Sequence, residues 1–450
     1  MQEGGNAMAH QPETPPAGVS ATTKQAGEVW ARWSWTEPAV WTERMLTALD
    51  NGVKGGVWYS LIDKVYAPAN LAAAFGRVAS NGGAAGVDHI TIEQFAEHLA
   101  ENLPRLHNDL RRQEYRPQDI RRHWIPKPGS TDKRPLGIPT VRDRVVQTAL
   151  RNVLEPIFEQ TFAEHSYGFR PGRGCKDALR RVEALLTAGY TQVVDADLKS
   201  YFDTIPHDRL LERIRTKVGD GRVLHLLEAF LKAGVLDGLN HWTPEAGSPQ
   251  GAVISPLLSN IYLDPLDQLM AQQGFAMVRY ADDFVVLCRD AAEAERALQV
   301  LRDWTAAAGL TLHPHKTRIV DTRRDGFDFL GYHFARNTRW PRAKSTQKLK
   351  DTIRTQTRRA DGRSLQVIIA TVNQTLRGWF AYFQHSHWPT FRRLDGWIRM
   401  RLRSILRRRQ GQQGRGRGSD HQRWPNAFFA EQGLFSLRAA HALACQSSLR

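Results

Sequence analysis

Residues 275–290 read FAMVRYADDFVVLCRD, and the fold turns on how this stretch is understood. Apolar residues flank an adjacent acidic pair, Asp282 and Asp283. Aspartate is disfavoured inside a strand, so the economical geometry is strand, tight turn, strand, with both acids at the tip. Two carboxylates held together raise one another's pKa. A hard divalent cation such as Mg²⁺, which prefers oxygen ligands, relieves that repulsion. An ordinary acidic turn would carry the same pair, so the reading needs a second segment.

Residues 192–203, QVVDADLKSYFD, supply it. A short apolar strand runs into Asp197, after which a helix-compatible stretch begins. Asp195 and Asp197 are two apart and face the same way on a strand, so spacing does not choose between them. Two strand-borne acidic sites about 85 residues apart suit a two-metal centre for phosphoryl transfer, the chemistry of a polymerase or a nuclease.

Further blocks surround these two. They are Gly86-Val87-Asp88, Ile125-Pro126-Lys127 running to Arg134-Pro135-Leu136-Gly137-Ile138-Pro139, Tyr167-Gly168-Phe169-Arg170-Pro171, Gly247-Ser248-Pro249-Gln250-Gly251, His315-Lys316-Thr317 and Phe329-Leu330-Gly331-Tyr332. With Tyr280-Ala281-Asp282-Asp283 they resemble, in order and spacing, the conserved blocks of reverse transcriptases. Residues 376–383, LRGWFAYF, resemble the maturase block of group II intron proteins. The chain thus resembles a bacterial group II intron reverse transcriptase and maturase over roughly residues 60–400.

The resemblance implies an α+β right-hand polymerase: fingers, a palm with an antiparallel sheet, and an α-helical thumb or maturase domain. It implies that Asp197, Asp282 and Asp283, with the backbone carbonyl of Leu198, bind two Mg²⁺ ions, with Mn²⁺ as a substitute. Asp195 then becomes a supporting residue. Lys127 and Arg134 match residues that contact the incoming triphosphate, a point charge and a planar fork suited to phosphate oxygens. Phe202 matches the residue whose ring blocks a ribose 2′-hydroxyl, and Gln250 the one beside the nucleotide sugar. Lys316 matches the acid that protonates pyrophosphate, and Leu330 and Gly331 the primer grip. The implied partners are group II intron RNA, an RNA template with a DNA primer, dNTPs, target DNA and a second copy of the chain as a homodimer. The implied setting is the bacterial cytoplasm, with the nucleoid as the place of DNA binding. Two other roles fit the same blocks: a maturase acting mainly as an RNA-binding splicing cofactor, and a domesticated reverse transcriptase outside introns.

Composition agrees with a large globular chain. There are 450 residues, 41% hydrophobic, with formal net charge +16. The charge is unevenly spread: residues 341–425 hold 20 Lys and Arg against four Asp, and account for the whole excess. Such a segment attracts a polyanion, nucleic acid above all. Within it, Arg358, Arg359, Arg407, Arg408 and Arg409 are the expected phosphate contacts, and Trp379 and Trp397 are expected to pack helices. The three Cys include no C-x-x-C pair, which argues against a disulfide framework or a cysteine zinc site. No run of about 18 apolar residues is present, so no membrane partner is expected. The start of the chain does not look like a secretory signal, and the end lacks the His-Asn-His and paired-Cys pattern of an endonuclease domain. Phosphate-loop, zincin and serine-hydrolase motifs are absent as well.

The expected organisation is a disordered lead-in over 1–27, a Trp-rich extension over 28–60, fingers and palm over 61–340, thumb over 341–409, and a basic linker and nucleic-acid-binding tail over 410–450. For the Trp-rich extension, packing onto the next domain is favoured over base stacking or a dimer contact. Helices are expected over 71–80, over 92–103 with Thr91 as cap, and through 345–384. Strands are expected over 192–196 and 277–288.

Overall fold

The computed structural model describes residues 31–126, 133–416 and 418–447. The lead-in and residues 127–132, with Lys127, lie outside them. The chain forms two compact units, one built from residues 1–118, 139–161 and 211–230, the other from 119–138, 162–210 and 231–450.

The first unit is helical where described. At its centre Val141–Glu159 is buried along nearly its whole length, capped by Thr140, whose hydroxyl accepts from the Asp143 amide at 3.2 Å. It packs on Pro68–Asn81, the helix expected near 71–80. The stretch expected as one helix over 92–103 breaks at His98 into Ile92–Glu97 and Leu99–Arg112. Thr91 caps the first in a reciprocal box with Gln94, each side chain bonded to the other's amide. Trp33 and Trp41 are buried, and Trp41 Nε1 donates to the Asn152 carbonyl at 2.9 Å. These two rings are core, as the packing reading expects.

The second unit carries three sheets. The palm sheet has the order β6-β7-β3-β8, with β3 Gln192–Asp197, β6 Ala276–Tyr280, β7 Asp283–Cys288 and β8 Arg318–Asp321, all antiparallel. Helix Cys175–Thr187 lies against β6 and β7, while Ala291–Ala307 lies against β3 and β7. Helices on its flanks explain why β7, apolar without a break from Phe284 to Cys288, is buried throughout that run. A second sheet, in order β2-β1-β4-β5, joins β1 Ile120–Pro126, β2 Lys133–Ile138, β4 Val235–Asp237 and β5 Asn240–Trp242. Its β1–β2 hairpin pairs Ile125 with Arg134. The third sheet, β9 Phe327–Phe329, β10 Tyr332–Ala335 and β11 Thr338–Pro341, turns at Leu330 and Gly331, both at positive φ as a two-residue hairpin loop requires.

Helices Ala343–Gln356, Leu365–Phe383 and Pro389–Arg409 follow. The helical run expected over 345–384 is thus two helices, the second capped by Ser364. Their core includes Ile353, Leu376, Phe391 and Leu402, and also Trp424, Phe429 and Leu437 from the end of the chain. Two buried polar residues fasten that end. Arg403 Nε donates to the Trp424 carbonyl at 2.9 Å, and the Asp395 carboxylate accepts from the amides of Leu437 and Arg438 at the start of helix Leu437–Ser447. Among the described residues no helix is long and apolar enough to cross a membrane.

Candidate active site

The acidic pair sits where the strand–turn–strand reading expects it. β6 and β7 pair through Tyr280 and Asp283, leaving Ala281 and Asp282 as the loop. Asp197, at the end of β3, lies directly opposite Asp283 in the sheet register. Antiparallel pairing therefore brings together acids about 85 residues apart in sequence. Asp195 faces Val285 and Arg318 instead, with Arg318 Nε 3.6 Å from its carboxylate. In the register it is Asp197, not Asp195, that lies opposite Asp283.

Leu198 follows in a bridge with Leu312, held by bonds from Lys199 to Thr311 and from His313 to the Asp197 carbonyl. Lys316, on the same loop, forms an ion pair with Asp197.

The electrostatics are those of crowded, partly buried carboxylates. Burial and then the charge of Asp197 raise the pKa of Asp282. Enclosure and then the charges of Asp282, Asp195 and Asp197 push Asp283 up to about 7. Water still reaches the Asp283 side chain and screens part of that repulsion. Burial lifts Asp195 to about 6 against the opposing pull of Arg318.

This donor set, hard carboxylate oxygens that repel one another, fits Mg²⁺ better than any softer metal. Among the described residues no three His, Cys, Asp or Glu side chains close on one ion-sized point.

A cavity of about 600 Å³ has walls that include Phe202, Gln250, Arg122, Trp242 and Gly137. Phe202 is on the short helix Tyr201–Thr204, anchored by Tyr201, whose hydroxyl donates to the Ser259 carbonyl at 2.9 Å. The 247–251 stretch is pinned at both ends. Ser248 N donates to Phe202 O at 2.6 Å, and Gly137 N to Gln250 O at 2.6 Å. At Gly251, φ is +107° and a Cβ would fall 2.5 Å from the Gly137 carbonyl, so glycine is required. Phe202 and Gln250 thus share one cavity. Arg134 is exposed on β2 and does not line it, and Lys127 is outside the described residues.

A second groove, of about 670 Å³, runs past Asp283, Leu330, Gly331, Arg342, Lys348 and Trp379. The Gly331 carbonyl accepts from Arg342 N at 3.0 Å, and the Leu330 carbonyl from the Tyr382 hydroxyl at 2.7 Å. The Leu330–Gly331 turn therefore borders the same groove as Asp283.

Of the five basic residues expected on RNA, Arg358, Arg359, Arg408 and Arg409 are exposed. Arg407 is engaged internally, with Nη1 2.7 Å from Asp420. Trp379 packs on Phe383 with ring centres 4.8 Å apart, and Trp397 lies among Lys350, Arg354 and Arg401.

Reading by motif passed over two supports of the turn. A Cβ on Gly168 would lie 2.3 Å from the Ala281 amide nitrogen, so the 167–169 stretch presses its bare backbone on the loop. Arg279 is wholly buried directly before Tyr280. A charged residue in the middle of an apolar strand was the signal available for it.

Residues 125–334 match the family of reverse transcriptases (RNA-dependent DNA polymerases), and residues 346–424 match the group II intron maturase-specific domain. Protein YkfC of Escherichia coli is 34% identical over 348 residues, covering 68% of this chain and 86% of that protein. The group II intron-encoded protein LtrA of Lactococcus lactis is 39% identical over 201 residues, 44% of this chain but only 33% of LtrA. Among solved structures, a partial Cas6-RT-Cas1–Cas2 complex aligns with 55% of this chain and 42% of its own at 22% identity and a TM-score of 0.36. With a reverse transcriptase match and a maturase-specific match in one polypeptide, and YkfC matched over most of its length, the chain belongs to the group II intron-encoded reverse transcriptase and maturase family.

Proposed function

We propose that the protein extends a DNA primer on an RNA template with dNTPs, and that it binds its host group II intron RNA to promote splicing and insertion into target DNA. The observation that carries the reading is the register of β3 on β7, which sets Asp197 against Asp283.

Asp197, Asp282, Asp283 and the Leu198 carbonyl would hold two Mg²⁺ ions, which when bound activate the attacking hydroxyl and offset charge on the departing phosphate. The residues around them do the rest. Phe202 forms a wall of the cavity that excludes a 2′-hydroxyl by contact. Gln250 lies beside the sugar, and the Leu330–Gly331 turn and the groove it borders orient the primer end. Lys316, released from Asp197, supplies a proton to the departing pyrophosphate. Arg134, with Lys127, meets the triphosphate. The exposed Arg358, Arg359, Arg408 and Arg409 contact RNA phosphates without reading sequence. DNA contact places the protein at the nucleoid of the cytoplasm.

Asp282→Ala is expected to lower primer extension by roughly 10³-fold, the scale of losing a group that stabilises developing charge. It should leave intron RNA binding within a few-fold. Extension that persists at the wild-type rate rejects the metal-site assignment. Intact extension with no effect on intron splicing would confine the protein to polymerisation.

A further inference from the structure

Under the catalytic turn lies a buried polar cluster that the mechanism above does not use. Arg279 is fully buried, and Asn260 and Asp267 on helix Ser255–Gln272 are nearly so. Arg279 Nε donates to Asp267 Oδ1 at 2.8 Å and Oδ2 at 3.0 Å. Its Nη1 donates to Asn260 Oδ1 and to the Ala281 carbonyl, both at 2.9 Å. Asn260 Nδ2 in turn donates to the Gly168 carbonyl at 2.8 Å. The cluster therefore grips both the loop that carries Asp282 and the backbone pressed against that loop.

A buried ion pair is seldom the most stabilising choice, since apolar residues of similar volume often do as well. What it provides here is direction. Ala281 has φ +59°, a left-handed conformation that costs energy for any residue but glycine and persists only where its surroundings impose it. A planar guanidinium can meet a carboxylate with one edge and two carbonyl-type oxygens with the other, which an ammonium cannot do. Mg²⁺ demands near-ideal octahedral geometry, so a small rotation of the loop would spoil the site.

We infer that Arg279, counter-charged by Asp267 and braced by Asn260, is a positioning residue that locks the Ala281–Asp282 turn and so sets the geometry in which the catalytic carboxylates receive metal. This rests on the polymerase reading of those carboxylates.

The test uses the purified full chain. Mn²⁺ binding is followed by electron paramagnetic resonance without substrate, beside the Mg²⁺ dependence of primer extension and the KM for dNTP. Arg279→Lys keeps the charge opposite Asp267 but loses the fork, and Asn260→Ala leaves the ion pair intact. Both are expected to keep wild-type circular dichroism and to weaken Mn²⁺ binding by roughly 10-fold or more, the usual cost of losing a residue that orients metal ligands. The Mg²⁺ needed for half-maximal extension should rise in parallel while the KM for dNTP holds within about twofold, because only metal geometry is disturbed. Wild-type Mn²⁺ affinity in either folded variant overturns the proposal. If Arg279→Lys does not fold, Asn260→Ala decides alone. If neither folds, the cluster is a folding determinant and the proposal is wrong. Asp282→Ala separates the two readings: Mn²⁺ affinity unchanged there refutes the metal site itself.

Discussion

Asp283 illustrates how one residue carries a cost that function explains. Its carboxyl is pushed up to about 7 by enclosure and by three neighbouring acids. A folded-state pKa above the unfolded value near 3.9 means that the native state binds the extra proton. The contribution to stability is then full below about pH 4 and is lost as pH rises through about 7. Removing the charge should reverse that loss. Asp283→Asn is expected to melt higher than wild type at pH 8 in EDTA and level with it near pH 4. Scanning calorimetry across that range checks it, and parallel curves would mean that Asp283 is not under like-charge strain. Phe202 makes the complementary case, a residue whose value is purely steric. Phe202→Ala should lower discrimination against rNTPs by about 10–100-fold, the range available to a pocket wall acting by contact. The ratio of kcat/KM for dNTP and rNTP measures it.

At the scale of elements, the site is made by register and by backbone contact. Strands β3 and β7 could not slip by one residue without turning Asp197 away from Asp283 and exposing their apolar faces. The other constraint is Gly168, whose backbone occupies the space a Cβ would need against Ala281. Gly168→Ala should displace the turn by close to an ångström and cost roughly 10²-fold in extension rate, as such misplacements do. Far-UV circular dichroism should be unchanged. Wild-type turnover in that variant would show that the turn tolerates movement.

For the molecule as a whole, the charge and the chemistry are carried by different stretches of the chain. Asp197 and Asp283 lie in the palm sheet and Asp282 at its turn, while the entire excess of +16 sits in residues 341–425. Not all of that charge faces outward. Arg407 pairs with Asp420, and Arg403 is buried against Trp424 and Asn426, so both hold the end of the chain to the three-helix core. Replacing the four exposed residues Arg358, Arg359, Arg408 and Arg409 with Gln should flatten the salt dependence of intron RNA binding, lowering the slope of log K on log salt by about 3. Filter binding at several salt concentrations measures the slope, and an unaltered one would remove these arginines from the RNA contact.

How much could be read from residues alone differs along the chain. Alternation of apolar runs with an acidic pair pointed to the β6–β7 hairpin, and motif order pointed to the family, because both are local patterns written in consecutive residues. The break within the 92–103 stretch is hidden, since the link is His98 alone, whereas the 357–364 link within 345–384 is marked by Gly362 and the Ser364 cap. The fate of the C-terminal residues was hidden too. Their composition suggests a linker and tail, yet Trp424, Phe429 and Leu437 complete a core whose other half lies tens of residues earlier.

By itself the sequence determined the acids available for metal, the concentration of positive charge and the family, since composition and spacing survive without any fold. Only the tertiary structure set Asp197 opposite Asp283, joined Phe202 to Gln250, engaged Arg407 internally and placed Arg279 beneath the turn. Each of those outcomes depends on which residues meet across distant strands and helices. Pairing of that kind is settled by burial and register over the whole sheet, not by any neighbour in the chain.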